Sequence, residues 1–344
     1  MSIAVPLYGF GASGGSPNKS TIIVTAPTGS TVTCKMGSTT KTATEKNGVW
    51  TFGGLDLGTW TITSTKGGDS ATQDVVITRL TVEYVTIAYR ITPEFTYTGD
   101  CEIVDDSDNP ISDFASWKNN WKIRFLTSGT LTFTKLNGAE GGIDVFLVGG
   151  GGGTKWSVGG NICSGGAGGG YTQTGKAIPV TTNTPYQIDI GSGGIDAADG
   201  GTTSAFGLSA GGGGHPTGSS GAAGGSGGGG YVHANASGTS ASGAGNGGSD
   251  GSDGITAGSG GGAGGAGQGT TTREFGEENG KLYAGGGAGA SNKASVSPVG
   301  GAGGGGDMGS DGATNTGGGA GNAVGGTHNG GSGIGIIRNA RGAA

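Results

Sequence analysis

The sequence predicts an all-β protein: an immunoglobulin-like β-sandwich, then a second sandwich with an inserted bundle of polyglycine II helices. Short stretches of alternating apolar and polar residues fill the first half of the chain, and short strand-like segments recur in the second half. Of the 88 glycines, 71 lie from Gly149 onward. Glycine is therefore several times more frequent in this part of the chain than its usual frequency of about 7%. We divide the chain into an attachment segment (1–19), a small sandwich (20–92), opening strands of the C-terminal sandwich (93–148) and a glycine-rich domain (149–344).

Charge and hydropathy exclude two classes of partner. The net charge is −6, and lysines and arginines are scattered singly, so there is no basic stripe to neutralise a phosphate backbone. The chain has no apolar run of about 18 residues, the length that a membrane-spanning helix needs. We therefore expect neither nucleic-acid binding nor membrane insertion.

The N-terminus and the cysteines indicate where the chain folds. The first basic residue is Lys19, so the N-terminus is a poor secretory signal. Cys34, Cys101 and Cys163 lie far apart without a CxxC or Cys/His cluster, which favours free thiols over a disulfide framework or a zinc site. We expect a protein made in a bacterial cytoplasm without a signal peptide and released by lysis.

The first sandwich is predicted from period-2 alternation in short runs bounded by glycine. The apolar residues that follow this pattern are Ile22, Val24, Val32, Trp50, Phe52, Trp60, Ile62, Val75, Ile77, Val82, Tyr84, Ile87 and Tyr89. The words at 24–32 and 48–62 resemble carboxypeptidase-regulatory-like and PEGA-type modules. That resemblance implies a spacer or interaction domain without catalysis.

The C-terminal sandwich is predicted from short segments that are rich in β-branched and aromatic residues. Three precede the glycine-rich part, at 121–126, 129–134 and 143–148, and others recur inside it, at 171–173, 186–190, 202–208 and 334–337. Such segments are not expected in a flexible glycine linker. We predict that they continue one sheet, and that the last strand, near Ile336, returns to pair beside the early ones.

Glycine occupies every third position in four runs, which are 218–230, 245–254, 258–267 and 300–312. This period matches the left-handed type II helix, with three residues per turn, and the 9 prolines are too few for collagen. A straight run from Gly218 to Gly230 would span about 40 Å. Because such a helix has no internal hydrogen bonds, neighbouring helices must bond through their backbones. We predict that Gly224→Val clashes and that Ser226→Val, at a position that faces outward or fills a gap in the lattice, matters less.

The glycine-rich part is similar to two kinds of protein. Its triplet runs resemble the glycine-helix sandwiches of adhesins at phage tail-fibre tips. The words at 143–153, 168–171, 186–194 and 227–231 resemble the glycine-rich domain of prophage tail proteins and of the anaplastic lymphoma kinase ectodomain. The resemblance implies a jelly-roll-like sandwich with inserted glycine helices, and the kinase comparison concerns fold alone.

No motif in the sequence indicates catalysis, so we expect no enzyme, no cofactor and no metal site. GxGxxG matches occur because glycine is abundant, and they lack the flanking strand and helix of a dinucleotide site. The acidic stretch 105–110 is either a solvated turn, which we favour, or an incomplete calcium loop. His215, His233 and His328 have no evident partner in the sequence.

The candidate binding residues lie in loops that interrupt the glycine runs. Aromatic anchors with arginine are typical of recognition surfaces. The receptor-binding candidates are Trp156, Tyr231, His233, Arg273, Phe275 and Tyr283. The alternative for Tyr231, Phe275 and Tyr283 is that they cap the glycine lattice or pack on the sheet.

These features favour a phage or prophage tail-fibre or tail-tip protein, located in the virion, that binds the host as an adhesin. Its expected partners are a host cell-surface receptor, either protein or glycan, and other tail proteins through the N-terminal region. Self-association into a homo-oligomer is a further expectation. The alternative is a structural surface or virion-decoration protein without specific receptor binding.

Overall fold

The computed structural model of the chain describes residues 19–26, 28–66, 69–87, 93–111, 121–136, 139–155, 165–231, 272–291 and 297–341. This part contains strands, irregular glycine-rich chain and a 3-10 turn at Glu274–Gly276, and no α-helix. The predicted all-β class is confirmed. The described residues fall into two compact units, 19–87 and 93–341.

The N-terminal unit is a sandwich of two sheets. Its strands are β1 (Ser20–Thr25), β2 (Thr31–Met36), β3 (Thr39–Thr42), β4 (Val49–Leu55), β5 (Gly58–Lys66), β6 (Asp69–Ile77) and β7 (Val82–Thr86). The sheets have the orders β4-β1-β7 and β3-β2-β5-β6. All neighbours are antiparallel except β1 and β7, which run parallel.

The core of this unit contains the alternating residues of the sequence pattern, with one correction in β7. The predicted residues from Ile22 to Ile77 are buried. Val82 and Tyr84, which the pattern also included, are 49% and 76% exposed, and Val85 is buried in their place, whereas Ile87 is buried as predicted. Two alternating sets of apolar residues overlap in this strand. A shift of one residue in the alternation exchanges the residues that face the core with those that face solvent. Tyr89 lies outside the described residues.

The C-terminal unit contains two five-stranded sheets and a small two-stranded pair. Its strands are β8 (Glu94–Tyr97), β9 (Cys101–Val104), β10 (Lys122–Phe125), β11 (Gly129–Lys135), β12 (Ile143–Val148), β13 (Thr154–Lys155), β14 (Thr172–Ile178), β15 (Pro185–Asp189), β16 (Thr203–Ala205), β17 (Leu208–Ala210), β18 (Thr327–His328) and β19 (Ile334–Asn339). The sheets have the orders β14-β12-β19-β10-β9 and β17-β16-β15-β11-β8, and the pair is β13-β18.

The last strand pairs beside the early ones as predicted, but the predicted strands divide between the two sheets, so the prediction that they continue one sheet is wrong. β19 lies between β10 and β12 and pairs antiparallel with both. Every residue of β12 is buried because the sheet is covered on both faces. Val145 and Leu147 belong to the core cluster that also contains residues of the second sheet, and Phe146 and Val148 belong to a separate cluster with Phe275 and Tyr283.

The glycine-rich segments bond to one another through their backbones with a period of three. The five amides of 149–153 donate to three neighbouring segments in turn, so that every third amide returns to the same neighbour. Gly149 and Gly152 donate to Tyr171 and Gly168, Gly150 and Gly153 to Gly201 and Ala198, and Gly151 to Gly331, each at 2.9 Å. This is the pattern of a helix with three residues per turn inside a lattice.

Close approach explains why glycine is consecutive at the centre of this lattice. A methyl group at any residue of 149–153 would lie 2.0 to 2.1 Å from a backbone carbonyl oxygen of a neighbouring segment. The same clash occurs at 168–170. A central helix is surrounded in all three of its directions, so each of its positions excludes a side chain.

The triplet runs themselves differ from the prediction. The run 218–230 is not one straight spiral, because Ala222 donates to Gly166, Gly166 donates to Gly229, and the chain bends at Gly225 and Ser226. Ser226 is fully buried, so of the two positions expected for serine, outward or in a gap of the lattice, it does not face outward. The run 300–312 contains turns, with positive φ at Gly303 and Gly309. The runs 245–254 and 258–267 lie outside the described residues.

Candidate functional site

The candidate site is the excursion, residues 272–284, which covers one face of β12 and β19. Phe275 and Tyr283 lie against Phe146, with ring centroids 6.0 and 5.5 Å away. Phe275 is 3% exposed and Tyr283 1%. These two candidate receptor-binding rings therefore pack on the sheet, which is the alternative role that the sequence left open.

A buried ion pair connects Glu274, near the N-terminal end of the excursion, to the sheet. Lys122, at the start of β10, lies 2.8 Å from the carboxylate of Glu274, and both side chains are 6% exposed. The same ammonium lies 2.6 Å from Asp108, which also pairs with Lys281 at 3.0 Å. The two carboxylates compensate for the desolvation of Lys122, which an unpaired buried ammonium would suffer in full.

A second buried pair lies at the C-terminal end of β19. The guanidinium of Arg338 is 3.1 Å from Asp144 of β12, with side chains 3% and 1% exposed, and it also binds Glu277. Its carbon lies 4.0 Å from the centroid of the Phe275 ring, which adds a cation–π contact. The excursion is thus held by both its charged and its aromatic side chains.

These contacts keep the groups ionised. The hydrogen bond from Arg338 lowers the pKa of Glu277, and burial opposes that shift only in part. Burial by itself lowers the pKa of Lys122, but hydrogen bonds to Asp108 and Glu274 outweigh it and leave the pKa raised. A pocket of about 350 Å³ beside the excursion is lined by four acidic and four basic residues. Because these charges neutralise one another, the pocket offers no excess charge to a ligand.

The excursion ends in an exposed tip, residues 276–281. Below it the two arms bond to each other, with amides of Glu274 and Tyr283 donating to carbonyls of Lys281 and Thr272 at 2.9 and 3.0 Å. Arg273 is half-buried and its Nη1 donates to the carbonyl of Gly280 at 3.1 Å. Arg273 therefore fixes the tip from inside, while the side chains of Glu278 and Asn279 face solvent.

Among the described candidates, Tyr231 lies outside the excursion. Tyr231 is 6% exposed, and its amide donates to Ser219 at 2.9 Å. Trp156 and His233 lie outside the described residues, so their role in receptor binding stays a prediction.

The acidic stretch 105–110 forms a turn. One carboxylate oxygen of Asp105 accepts the amides of Ser107 and Asn109 at 2.8 and 2.9 Å, and Asp108 pairs with Lys122 and Lys281. Among the described residues, no group of three or more His, Cys, Asp or Glu side chains is arranged to hold a metal ion. The same residues include no helix of the length and hydropathy that crossing a membrane requires.

Sequence reasoning missed two histidine–carboxylate pairs. His215 Nδ1 lies 2.6 Å from Asp199, and His328 Nδ1 lies 3.6 Å from Asp311. The partners are 16 and 17 residues apart in the sequence, and the lattice brings them together by pairing separate glycine segments. No local spacing signal marks such a pair.

The comparisons with known proteins concern the C-terminal unit. A search of curated proteins found no match to this chain. A family model described as "Glycine-rich domain" matches residues 126–340, which is more than half of the chain and spans β11 to β19 with the excursion and the lattice. The chain therefore belongs to this glycine-rich domain family.

Proposed function

We propose that the chain is a tail-fibre or tail-tip component of a phage or prophage, and that its glycine-rich unit attaches to a receptor on the host cell. The N-terminal sandwich then serves as a spacer or as the attachment to other tail proteins. Resemblance to prophage tail proteins suggested this role, and the architecture of the C-terminal unit supports it.

The observation that carries the proposal is the way the excursion is held. Two buried ion pairs, a cation–π contact and an aromatic cluster fix its base, and its tip remains exposed. A loop that is ordered before binding loses little conformational entropy when it binds, so a small contact area is enough for useful affinity.

The test is saturable binding of the labelled full-length chain to a panel of bacterial strains. We expect saturable binding to some strains and loss of binding for Asn279→Trp, which places a bulky ring on the exposed tip. Thr134→Trp, at an exposed position of β11, is the matched control and is expected to bind as the wild type does. Binding that never saturates on any strain overturns the proposal and favours the structural alternative. Equal binding by both variants removes the tip as the contact surface.

A further inference from the structure

A second concave surface lies on the glycine lattice, away from the excursion. This Tyr171 pocket, of about 420 Å³, is lined by the side chains of Tyr171, Asp199, His215, Pro216, Thr217 and Ser220, and by backbone of the glycine segments. The lining contains one aromatic ring, an imidazole–carboxylate pair and two hydroxyls, and it has no large aliphatic side chain.

The imidazole–carboxylate pair is held in a fixed orientation. Asp199 Oδ1 accepts both the backbone amide of His215, at 2.9 Å, and its ring Nδ1, at 2.6 Å. The hydrogen bond from the backbone amide of His215 is the main reason that the pKa of Asp199 is lowered, so the carboxylate is ionised at neutral pH. Within the described chain, Asp199 Oδ2 and His215 Nε2 make no hydrogen bond, and both are available to a ligand.

The aromatic side of the pocket is fixed by the lattice. The amide of Tyr171 donates to the carbonyl of Gly211 at 2.9 Å. A methyl group on Gly211 would lie 3.5 Å from the ring carbon Cδ2 of Tyr171, so the ring lies beside this glycine. The ring is half-buried, and its remaining surface contributes to the pocket.

We infer that the Tyr171 pocket is a saccharide-binding subsite of the proposed adhesin, an inference that rests on the proposed function. A sugar ring presents C–H groups on one face, which pack on an aromatic ring, and hydroxyls at its edge, which donate to a carboxylate or to the bare Nε2 of an imidazole and accept from a serine or threonine hydroxyl.

Other ligand classes fit less well. The ionised Asp199 repels an anion, and the lining gives an apolar peptide side chain only small aliphatic partners, namely Pro216, Ala222 and Ala223. Acyl-transfer chemistry would require a nucleophile bonded to the base, and no serine or threonine hydroxyl is hydrogen-bonded to His215 Nε2 in the described residues. A neutral, hydroxyl-rich ligand matches the donors and acceptors present.

The test uses the full-length chain on an array of neutral hexose and N-acetylhexosamine oligosaccharides, followed by calorimetric titration of the best binder. We expect Tyr171→Ala to weaken binding about tenfold, Tyr171→Phe to retain it within about twofold, and Asp199→Asn to weaken it. Tyr84→Ala, which removes an exposed ring of the N-terminal unit, is the control and is expected to bind normally. Melting curves verify that each variant is folded.

The outcomes separate this inference from the proposed function. If the chain binds host cells but no saccharide on the array, or if Tyr171→Ala and Asp199→Asn bind the saccharide as the wild type does, the subsite is wrong and the adhesin proposal stands. If a saccharide binds and the two variants weaken it, while no cell binding saturates, the subsite stands and the adhesin proposal fails.

Discussion

Gly224 lies so close to Gly169 that a methyl group on Gly224 would be 2.1 Å from the carbonyl oxygen of Gly169. Both residues belong to segments that exchange backbone hydrogen bonds: Gly225 donates to Gly169, and Gly169 donates to Ser226. The space for a side chain is therefore filled by backbone from a neighbouring segment. The lattice depends on this exclusion because backbone bonds form only where the segments touch.

We expect Gly224→Ala to destabilise the C-terminal unit by about 3 kcal/mol or more, because the clash forces two hydrogen-bonded segments apart. Gly218→Ala is the matched control. A methyl group there meets nothing within 4 Å, so stability should be unchanged or slightly raised. Denaturant unfolding of both variants measures the difference. Equal free energies of unfolding would show that the segments do not touch as described.

We expect Lys122→Met to cost about 3–5 kcal/mol, because it leaves the buried carboxylate of Glu274 without its ammonium partner. Adding Glu274→Gln should recover part of that loss, since the unpaired charge is then removed. The surface pair Lys135–Glu94, with side chains 52% and 32% exposed, provides the control: Lys135→Met should cost less than about 1 kcal/mol. A double-mutant cycle without coupling between Lys122 and Glu274 would contradict the buried pair.

The ion pair between Arg338 and Glu277 gives a pH dependence with a definite sign. The folded-state pKa of Glu277 is below its ordinary value of 4.5, so the pair contributes stability above that pH, and the contribution is lost as the pH falls through the folded pKa. Glu277→Gln should therefore lower the melting temperature at pH 7, and this difference should narrow below pH 4.5. The control, Glu278→Gln, changes a neighbouring exposed carboxylate. A difference for Glu277→Gln that stays constant with pH would argue against the pair.

Local patterns in the sequence predicted much of the fold. The word Ile334–Ile337 predicted a closing strand, because a β-branched run after a long glycine-rich stretch has no role in a coil, and β19 lies between β10 and β12. The sequence also predicted bonding between glycine segments. It did not predict where the segments turn, because a glycine triplet is compatible with a straight spiral and with a bend, and contacts between distant segments decide between them.

The site was less predictable than the fold. Phe275 and Tyr283 are flanked by charged residues, which in a sequence indicates a surface loop, yet Glu274 beside them is buried through its pair with Lys122, 152 residues away. The same holds for Asp199 and His215, which the lattice brings together. Burial of a charge depends on its partner, and a partner distant in sequence leaves no local signal.

We expect Cys34 to resist alkylation in the folded protein. Its side chain is fully buried, and burial raises the pKa of its thiol to about 11, so almost no thiolate forms at pH 8. Iodoacetamide treatment followed by peptide mass spectrometry should show modification of Cys34 only after denaturation. Modification of native Cys34 at the rate of the unfolded chain would show that the N-terminal core opens readily.

The strongest test of the lattice is amide exchange in segments that contain no helix or strand. An isolated type II helix leaves its amides solvated, so a glycine coil would exchange within the mixing time. Here the amides of 149–153 and 165–171 are all donated to neighbouring segments at 2.7 to 3.2 Å. We expect them to be protected as well as the amides of β12 and β19, because opening them requires separation of several segments at once.

The internal control in the same experiment is the amide of Gly207, at the turn of the hairpin between β16 and β17. We expect this amide to exchange fast. Heteronuclear NMR with selective glycine labelling resolves both classes. Gly224→Ala should then reduce protection at Gly169, whose amide bonds to Ser226, while Gly218→Ala should leave it unchanged. Fast exchange throughout 149–153 in the wild type would show that the segments do not form a lattice, and the fixed scaffold on which both proposed binding surfaces depend would then be absent.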